Sequence, residues 1–299
     1  ADGGRPATPD RHILAVDRVR FVGECVVAVV ADTEQQARDA AEAVRVDYEP
    51  LPHAVTLADA LAPNAPLISD APDNKVAESR HGDATKAQVA FAQAKHVVKL
   101  DITNQRVAAL SIEPRSVQAH IEGGRLVIRM SSQMPTGIRT QVCDLLGLKE
   151  DQVRVLVGDV GGGFGTKGWQ YVEHRLTMYA ARKVGRPVKW TSTRSEAIQS
   201  DEHARDNISD ATLALDANGK FLALRVDTIC NVGAYISAER NLLSTFSNVS
   251  TLAGTYAFPA AYTHVNIAFS NSNPTAPYRG AGRPEATYVI ERIIDTAAD

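Results

Sequence analysis

A glycine-rich stretch in the middle of the chain has the composition of a ligand-binding loop. Residues 152–168 read QVRVLVGDVGGGFGTKG, in which valines alternate with other residues up to Val157, and four of the five residues from Gly161 to Gly165 are glycine. The alternating part predicts a strand. Glycines permit positive φ and close approach, and their bare N–H groups can surround an anion or an oxo group. The sequence therefore predicts a strand that leads into a donor-rich loop beside a ligand.

Several kinds of loop share part of this pattern. A P-loop needs Gly-Lys-Ser/Thr, whereas the order here is Gly-Thr-Lys, ending at Lys167. A dinucleotide-binding turn would use Gly163, Gly165 and Gly168. The next predicted strand, at 188–191, ends without the acidic residue that holds a ribose. A purely structural turn and a loop that meets a metal–oxo or pterin cofactor also fit, and the pattern alone leaves these alternatives open.

The elements around this loop predict an α+β chain. Gly123-Gly124 and Asn218-Gly219 indicate hairpin turns. Strands are predicted at 19–31, 45–48, 97–107, 116–120, 125–130, 153–157, 188–191, 212–215, 221–227 and 265–269. Helices are predicted at 34–44, 137–146 and 171–184, and from Pro284 onward. We expect a small α/β domain at 1–56, a linker at 57–85 and a larger domain at 86–299.

The composition excludes some classes of function. The chain has 299 residues and a net charge of −3 without a basic block, which argues against a nucleic-acid partner or an anionic membrane surface. No apolar run is long enough to span a bilayer. The three cysteines form no C-x-x-C pair, which argues against an iron–sulfur or zinc site in this chain. The first residue is not Met and the last lies within a helical pattern, so we expect a piece of a longer protein or one chain of a split protein.

Several motifs together resemble one family. They are IEPR at 112–115, SSQ at 131–133, GDVGGGFGTKG at 158–168, GRPVKW at 185–190 with Arg194 and Glu196 beyond it, APYRGAGRPE at 276–285, and 19–30 with Cys25 where Pro is usual. In this order they resemble the molybdenum-binding large subunit of the xanthine dehydrogenase and aldehyde oxidase family, which includes carbon monoxide dehydrogenase. The resemblance covers most of the chain. It implies a small hammerhead-like α/β domain followed by the first molybdopterin-binding domain, incomplete at its C-terminus.

The resemblance also implies a site. The cofactor contacts it assigns are Gln133, Gly162, Gly163, Phe164, Gly165, Arg279 and Gly280. Gln133 matches the glutamine whose amide donates to the apical oxo ligand, Phe164 would shield the metal from water, and Arg279 would fix the shape of a second loop. The substrate-pocket residues it assigns are Phe164, Gly168, Ser247 and Ala281. No residue ligates the metal directly, because the pterin holds the molybdenum.

The chemistry implied by the resemblance needs further chains. The cofactor would be a molybdopterin, as the cytosine dinucleotide, with 2Fe-2S clusters and FAD on partner subunits. The catalytic base of the family is a Glu that we expect outside this chain. Glu113, Glu173 and Glu285 do not match it, and Glu173 is expected to be a surface charge on a helix. His174 and His203 are expected to be surface or core residues, since neither has the spacing of a metal ligand.

Departures from the family pattern narrow the substrate. Carbon monoxide dehydrogenase carries a copper-bound Cys in the loop matched by 276–285, and this chain has none there. The Glu and Arg that anchor purines in other members have no match. We therefore expect hydroxylation of an aldehyde or N-heterocycle, with a second half of the molybdenum subunit and iron–sulfur and flavin subunits as partners. The alternative is a non-catalytic binding or assembly module that keeps the fold without cofactor. A cytoplasmic location is expected, or a periplasmic one through a partner's signal.

Overall fold

The described part of the chain forms two compact units. The structure is a computed structural model that describes residues 10–69, 71–236, 242 and 248–299. The first unit contains His53–Ala108 and Glu202–Asp299, and the second contains Arg11–Pro52 and Ala109–Asp201. No helix in the described residues has the length and apolar character needed to cross a membrane.

Both units mix helices and sheets, so the predicted α+β class is confirmed. The strands are β1 Lys75–Gly82, β2 His96–Asn104, β3 Ser116–Glu122, β4 Arg125–Met130, β5 Val153–Leu156, β6 Val188–Thr191, β7 Asn207–Leu215, β8 Phe221–Asn231 and β9 Ala260–Ala268. The helices are α1 Glu34–Glu42, α2 Leu57–Ala60, α3 Ala84–Gln93, α4 Pro135–Leu146, α5 Val172–Val184, α6 Arg194–Ser200 and α7 Arg283–Ala298. Short 3-10 turns lie at Pro72–Asn74 and Glu150–Gln152.

The first unit is built on a five-stranded sheet in the order β1-β9-β8-β7-β2 among the described residues. β8 and β9 run parallel, and the other neighbours are antiparallel. Helix α7 buries Ala286, Val289, Ile290 and Ile293 in one apolar cluster with the sheet. This three- and four-residue spacing places one helical stripe against the core.

The second unit carries the predicted glycine loop on a four-stranded sheet in the order β5-β4-β3-β6 among the described residues. β3 and β4 form the predicted hairpin, because Gly123 and Gly124 both take the positive φ that a tight two-residue turn requires. Helix α4 connects β4 to the parallel strand β5 and ends at Gly147, which adopts the left-handed conformation. α4 and α5 bury their apolar faces with this sheet in one core cluster.

Some predicted elements differ from the structure. No strand forms at 19–31 or 45–48 within the described residues, so both strand predictions are wrong. Their β-branched residues lack a ladder partner there, and strand propensity depends on such pairing. The segment 57–85 is more than an irregular linker, since it contains α2 and the sheet strand β1. Helix α4 begins at Pro135, and Met134 rather than Thr136 occupies its N-cap.

Candidate functional site

The glycine loop follows β5 and turns sharply before α5 begins. Gly162 and Gly165 adopt φ values of 97° and 110°, which side chains with a Cβ rarely tolerate. The N–H and Oγ1 of Thr166 both donate to the Gly163 carbonyl, at 3.0 and 2.9 Å. Phe164 takes φ 52° although it is not glycine, and its side chain is 42% exposed. Left-handed geometry costs such a residue about 1 kcal/mol, so the surrounding turn imposes this conformation.

The side chain of Gln133 lies against this loop with a fixed orientation. The side-chain Oε1 accepts a 2.9 Å hydrogen bond from the N–H of Gly165, and the main-chain N–H of Gln133 donates to the Lys167 carbonyl at 2.9 Å. Only the amide oxygen can accept from an N–H, so this contact assigns the two ends of the amide. Within the described residues, nothing accepts a hydrogen bond from Nε2 of this exposed side chain. A neutral N–H donor is therefore available to a ligand at the loop.

Glu113 and Lys167 join the loop to a neighbouring segment. The Lys167 Nζ donates to the carbonyl oxygen and to Oε2 of Glu113, both at 2.8 Å. The same Oε2 accepts from the N–H of Gly161 at 2.8 Å, and the Glu113 N–H donates to the Gly161 carbonyl at 3.1 Å. Partial burial alone would raise the pKa of Glu113, but the Lys167 ammonium and the Gly161 N–H outweigh it and lower that pKa. Glu113 is thus held as a carboxylate.

Arg115 is fully buried in the same unit and binds two carboxylates. Its Nε lies 2.6 Å from Asp201 Oδ1, and its Nη1 and Nη2 bind the two Glu173 oxygens at 2.9 and 3.1 Å. The guanidinium lies 3.8 Å from the centre of the Tyr171 ring. The expectation that Glu173 is a surface charge is therefore wrong, because its pairing with Arg115 allows it to be buried. Burial alone would raise the pKa of Glu173, but the adjacent guanidinium lowers it to about 2.

The two histidines occupy different surroundings. His174 is buried in α5 and accepts a 3.3 Å hydrogen bond from the Tyr171 N–H through Nδ1. Burial, aided by the charge of Arg115, lowers the pKa of His174 to about 3, so the ring is neutral. His174 was expected on the surface or in the core, and it lies in the core. His203, in the first unit, is half-buried, and its main-chain N–H donates to the Pro274 carbonyl at 3.0 Å.

The second predicted loop, 278–282, belongs to the first unit and leads into α7. Gly280 has φ 91°, and a Cβ there would lie 2.5 Å from the Pro284 ring. Arg205 donates to the carbonyls of Tyr278 and Arg279, both at 3.1 Å, and its guanidinium also lies 3.3 Å from Glu285. The loop is therefore shaped by Arg205. Arg279 contributes its main-chain carbonyl to this contact while its side chain is exposed, and its role in fixing the loop stays a prediction.

The structure distributes the predicted site residues over both units. The second unit contains Gln133, Gly162, Gly163, Phe164, Gly165 and Gly168. Arg279, Gly280 and Ala281 lie in the first unit. Of the predicted pocket residues, Phe164 is exposed, Gly168 is buried, Ala281 is half-buried, and Ser247 lies outside the described residues. Their place in a substrate pocket stays a prediction.

Sequence reasoning missed the side chains that support these loops. Glu113, Arg115, Lys167 and Arg205 form their ion pairs across 54 or more residues of sequence, beyond the reach of any local pattern. One signal was present in the glycine loop. Lys167 follows a stretch of glycines, Phe164 and Thr166 that contains no other charge, and a cation that becomes buried there needs an acceptor nearby.

Comparison with known proteins identifies two matching regions. Residues 67–299 match the family described as the molybdopterin cofactor-binding domain, and residues 2–52 match the aldehyde oxidase and xanthine dehydrogenase a/b hammerhead domain. The gamma subunit of the 6-hydroxypseudooxynicotine dehydrogenase complex of Paenarthrobacter nicotinovorans is 34% identical over 95% of this chain and 36% of its own length. The carbon monoxide dehydrogenase large chain of Hydrogenophaga pseudoflava is 33% identical over 96% of this chain and 38% of its own length.

A solved structure shows the same fold. The crystal structure of quinoline 2-oxidoreductase from Pseudomonas putida 86 aligns with a TM-score of 0.89 at 32% identity, covering 96% of this chain and 37% of that one. The chain thus spans well under half the length of each of these three relatives.

Proposed function

This chain belongs to the molybdopterin cofactor-binding family, together with a hammerhead domain of the aldehyde oxidase and xanthine dehydrogenase type, and on that premise we propose that it is part of a molybdenum hydroxylase. Its relatives include molybdenum oxidoreductases and subunits of multi-subunit complexes. We propose that the assembled enzyme oxidises an aldehyde or an N-heterocycle, with oxygen derived from water.

The orientation of the Gln133 amide is the observation that carries this proposal. Because Gly165 occupies Oε1, the N–H groups of Nε2 are the part of the side chain that can meet a ligand. A neutral amide donor suits an oxo ligand, since it donates without competing for the metal. Gly163 allows the Gln133 amide to lie against the loop, because a Cβ there would lie 2.5 Å from that amide. The residues present therefore fit a molybdopterin.

Each residue then has a defined task. When bound, the molybdenum centre supplies the oxidation itself and accepts two electrons. Gln133 donates a hydrogen bond to an oxygen ligand of the metal, and Gly162, Gly163 and Gly165 allow the backbone to approach. Phe164 projects from its strained position and excludes water from the reacting atoms. Arg279 and Gly280 remain proposed cofactor contacts on the strength of the family resemblance.

The substrate class follows from the sequence and from the names of relatives. The segment 276–285 contains no Cys, which disfavours carbon monoxide despite the similarity to carbon monoxide dehydrogenase. Gly168 and Ala281 offer little bulk and no polar side chain for anchoring a purine. Two relatives are named for quinoline and for 6-hydroxypseudooxynicotine, both of which contain a nitrogen ring. We therefore favour an N-heterocycle or an aldehyde.

Additional polypeptide and partner subunits complete the proposed enzyme. The relatives are longer than this chain, and one is named as a subunit of a complex. We propose that the catalytic Glu lies in additional polypeptide, and that electrons leave through a 2Fe-2S subunit and then an FAD subunit. The cofactor is proposed to be the cytosine dinucleotide form. Digestion of the purified complex and chromatography of the released nucleotide would identify that form.

Metal analysis and one substitution test the proposal. The protein, purified with its co-purifying partners, should contain stoichiometric molybdenum. Gln133→Ala should lower turnover on the order of 10²-fold while the protein still folds, the loss typical of removing one preorganised donor. Gln141→Ala, at an exposed glutamine of α4, should leave turnover unchanged. A protein without molybdenum would be the non-catalytic binding module instead, and unchanged turnover in Gln133→Ala would remove Gln133 from the mechanism.

A further inference from the structure

Three segments that are distant in sequence meet at one ion pair in the second unit. The segment around Glu113, the segment Ser131–Gln133 and the glycine loop are joined by contacts of Lys167. The Lys167 carbonyl accepts from the Gln133 N–H at 2.9 Å and from the Ser132 Oγ at 3.2 Å. Its ammonium binds Glu113 twice at 2.8 Å. A single residue thus links both neighbours of the loop.

The Lys167 ammonium is buried and is bound by Glu113. The lysine side chain is 1% exposed, and its Nζ donates two hydrogen bonds to Glu113. A lysine that cradles a phosphate needs its ammonium free toward that anion. The pairing of this buried ammonium therefore argues against the P-loop alternative, and it leaves this lysine with a different task.

Glu113 holds the opposite end of the loop. It exchanges a pair of hydrogen bonds with Gly161, through its side-chain Oε2 and its main-chain N–H. The first glycine of the loop and the lysine that follows the last turn are consequently tied to the same carboxylate. Residues 162–166 therefore form a loop whose two ends are held by Glu113. Gly165, which orients the Gln133 amide, lies within that closed segment.

We propose that Glu113 and Lys167 are positioning residues, which set the Gln133 amide and the glycine loop in the arrangement that receives the cofactor. This inference rests on the proposed function. Neither side chain touches the reacting atoms; both act through Gln133 and the backbone of the loop. Charge-assisted hydrogen bonds are stronger and more directional than neutral ones, which suits a device that must hold a donor in place. Without this ion pair, the loop would no longer be held in the arrangement that receives the cofactor.

Single and double substitutions separate positioning from a general role in folding. Lys167→Met removes the ammonium and keeps the apolar stem, and Glu113→Gln keeps one acceptor oxygen and removes the charge. Each single change leaves the other charge without its counter-charge, which destabilises the unit by itself. The double variant Glu113→Gln/Lys167→Met leaves no lone charge, so its folding should recover. Glu150→Gln is the matched control, since Glu150 pairs with Arg139 on the exposed surface of the same unit.

The readouts are deuterium exchange, turnover and the electron paramagnetic resonance signal of reduced molybdenum, measured on the complete enzyme. We expect the double variant to melt like the parent, while peptides covering 161–168 exchange at least about tenfold faster, the factor for losing a charge-assisted hydrogen bond. Turnover should fall at least about tenfold, and the molybdenum signal should change, because the Gln133 donor is no longer fixed. Glu150→Gln should match the parent in all three.

The outcomes distinguish this inference from the proposed function. Parent-like exchange, turnover and signal in the double variant would overturn the positioning role, even if the parent enzyme contains molybdenum. Faster loop exchange in the double variant than in the parent, when the parent itself contains no molybdenum, would support the positioning role and contradict the proposed function.

Discussion

Burial and the pairing with Arg115 have opposite effects on the pKa of Glu173, and the effect of the pairing is the larger. The carboxylate is buried, yet both of its oxygens bind the guanidinium of Arg115. Removing one partner of a buried pair costs about 3–5 kcal/mol when the remaining charge is left without compensation. Asp201 still binds Arg115 when Glu173 is removed, so the lower end of that range applies here. The pair thus stabilises the fold little more than well-packed apolar residues would, but losing either member destabilises it strongly.

Glu173→Gln should therefore destabilise the protein in a pH-dependent way. The pKa of Glu173 is about 2 when folded, below its ordinary value of 4.5. The stabilisation from its ionised form is present above about pH 4.5 and is lost as the pH falls toward 2. We expect the variant to be about 3 kcal/mol less stable at pH 7, with the difference shrinking below pH 4.5. Urea titrations followed by fluorescence between pH 3 and 7 measure this.

Glu150→Gln is the comparison, since Glu150 forms an exposed pair with Arg139 that contributes no more than about 1 kcal/mol. Its stability difference should stay small at every pH. A Glu173→Gln difference that is constant from pH 7 to pH 3 would mean that Glu173 titrates at its ordinary pKa.

The contrast between Gln133 and Glu173 shows what sequence alone could tell about single residues. Gln133 was assigned through a motif, and the structure places its amide against the glycine loop. Glu173 was judged from its position on a helix, where most carboxylates are exposed. Its burial depends on Arg115, which is 58 residues away in sequence. Such pairings need the folded chain, because no periodicity in the sequence reports them.

At the scale of the loop, Gly163 determines where the Gln133 amide can lie. A Cβ added there would lie 2.5 Å from both Cδ and Oε1 of Gln133. These are terminal atoms of a flexible side chain, so the backbone can persist while the amide swings away. Gly163→Ala should lower turnover about as much as Gln133→Ala, on the order of 10²-fold. Steady-state kinetics of both variants in the assembled enzyme give the comparison.

The double variant Gly163→Ala/Gln133→Ala should be no worse than either single variant, since both changes remove the same donor. Gly158→Ala is the control, because an added Cβ there meets nothing within 4 Å among the described residues. Additive losses in the double variant would show that Gly163 acts independently of Gln133.

Elements with local signals were predictable, and elements defined by distant pairing were not. Gly147 and Gly185 end α4 and α5 in the left-handed conformation that their sequence positions predicted. β1 was missed because its polar, charged sequence becomes a strand only beside β9. The valines at 19–31 have strand propensity, yet they form no ladder within the described residues. Both errors arise because a strand is stabilised by its neighbour and not by its own sequence.

At the scale of the whole chain, each unit has apolar clusters of its own. The cluster of Val117, Leu126, Ile138 and their neighbours lies entirely in the second unit, which also contains the glycine loop. Both tryptophans of the chain, Trp169 and Trp190, are in that unit as well. Tryptophan fluorescence therefore reports the unfolding of the unit that carries Gln133.

A matched pair of leucines tests how strongly this core supports the loop. Leu126 is 2% exposed in β4, whereas Leu145 in α4 is 44% exposed. Leu126→Ala should cost about 2–5 kcal/mol, because it removes buried methyl groups and leaves a cavity, and Leu145→Ala should cost less than about 1 kcal/mol. Urea titrations followed by tryptophan fluorescence yield both values. Equal midpoints for the two variants would mean that Leu126 is not packed as the structure describes, and the sheet could not then be the rigid base from which β5 presents the glycine loop.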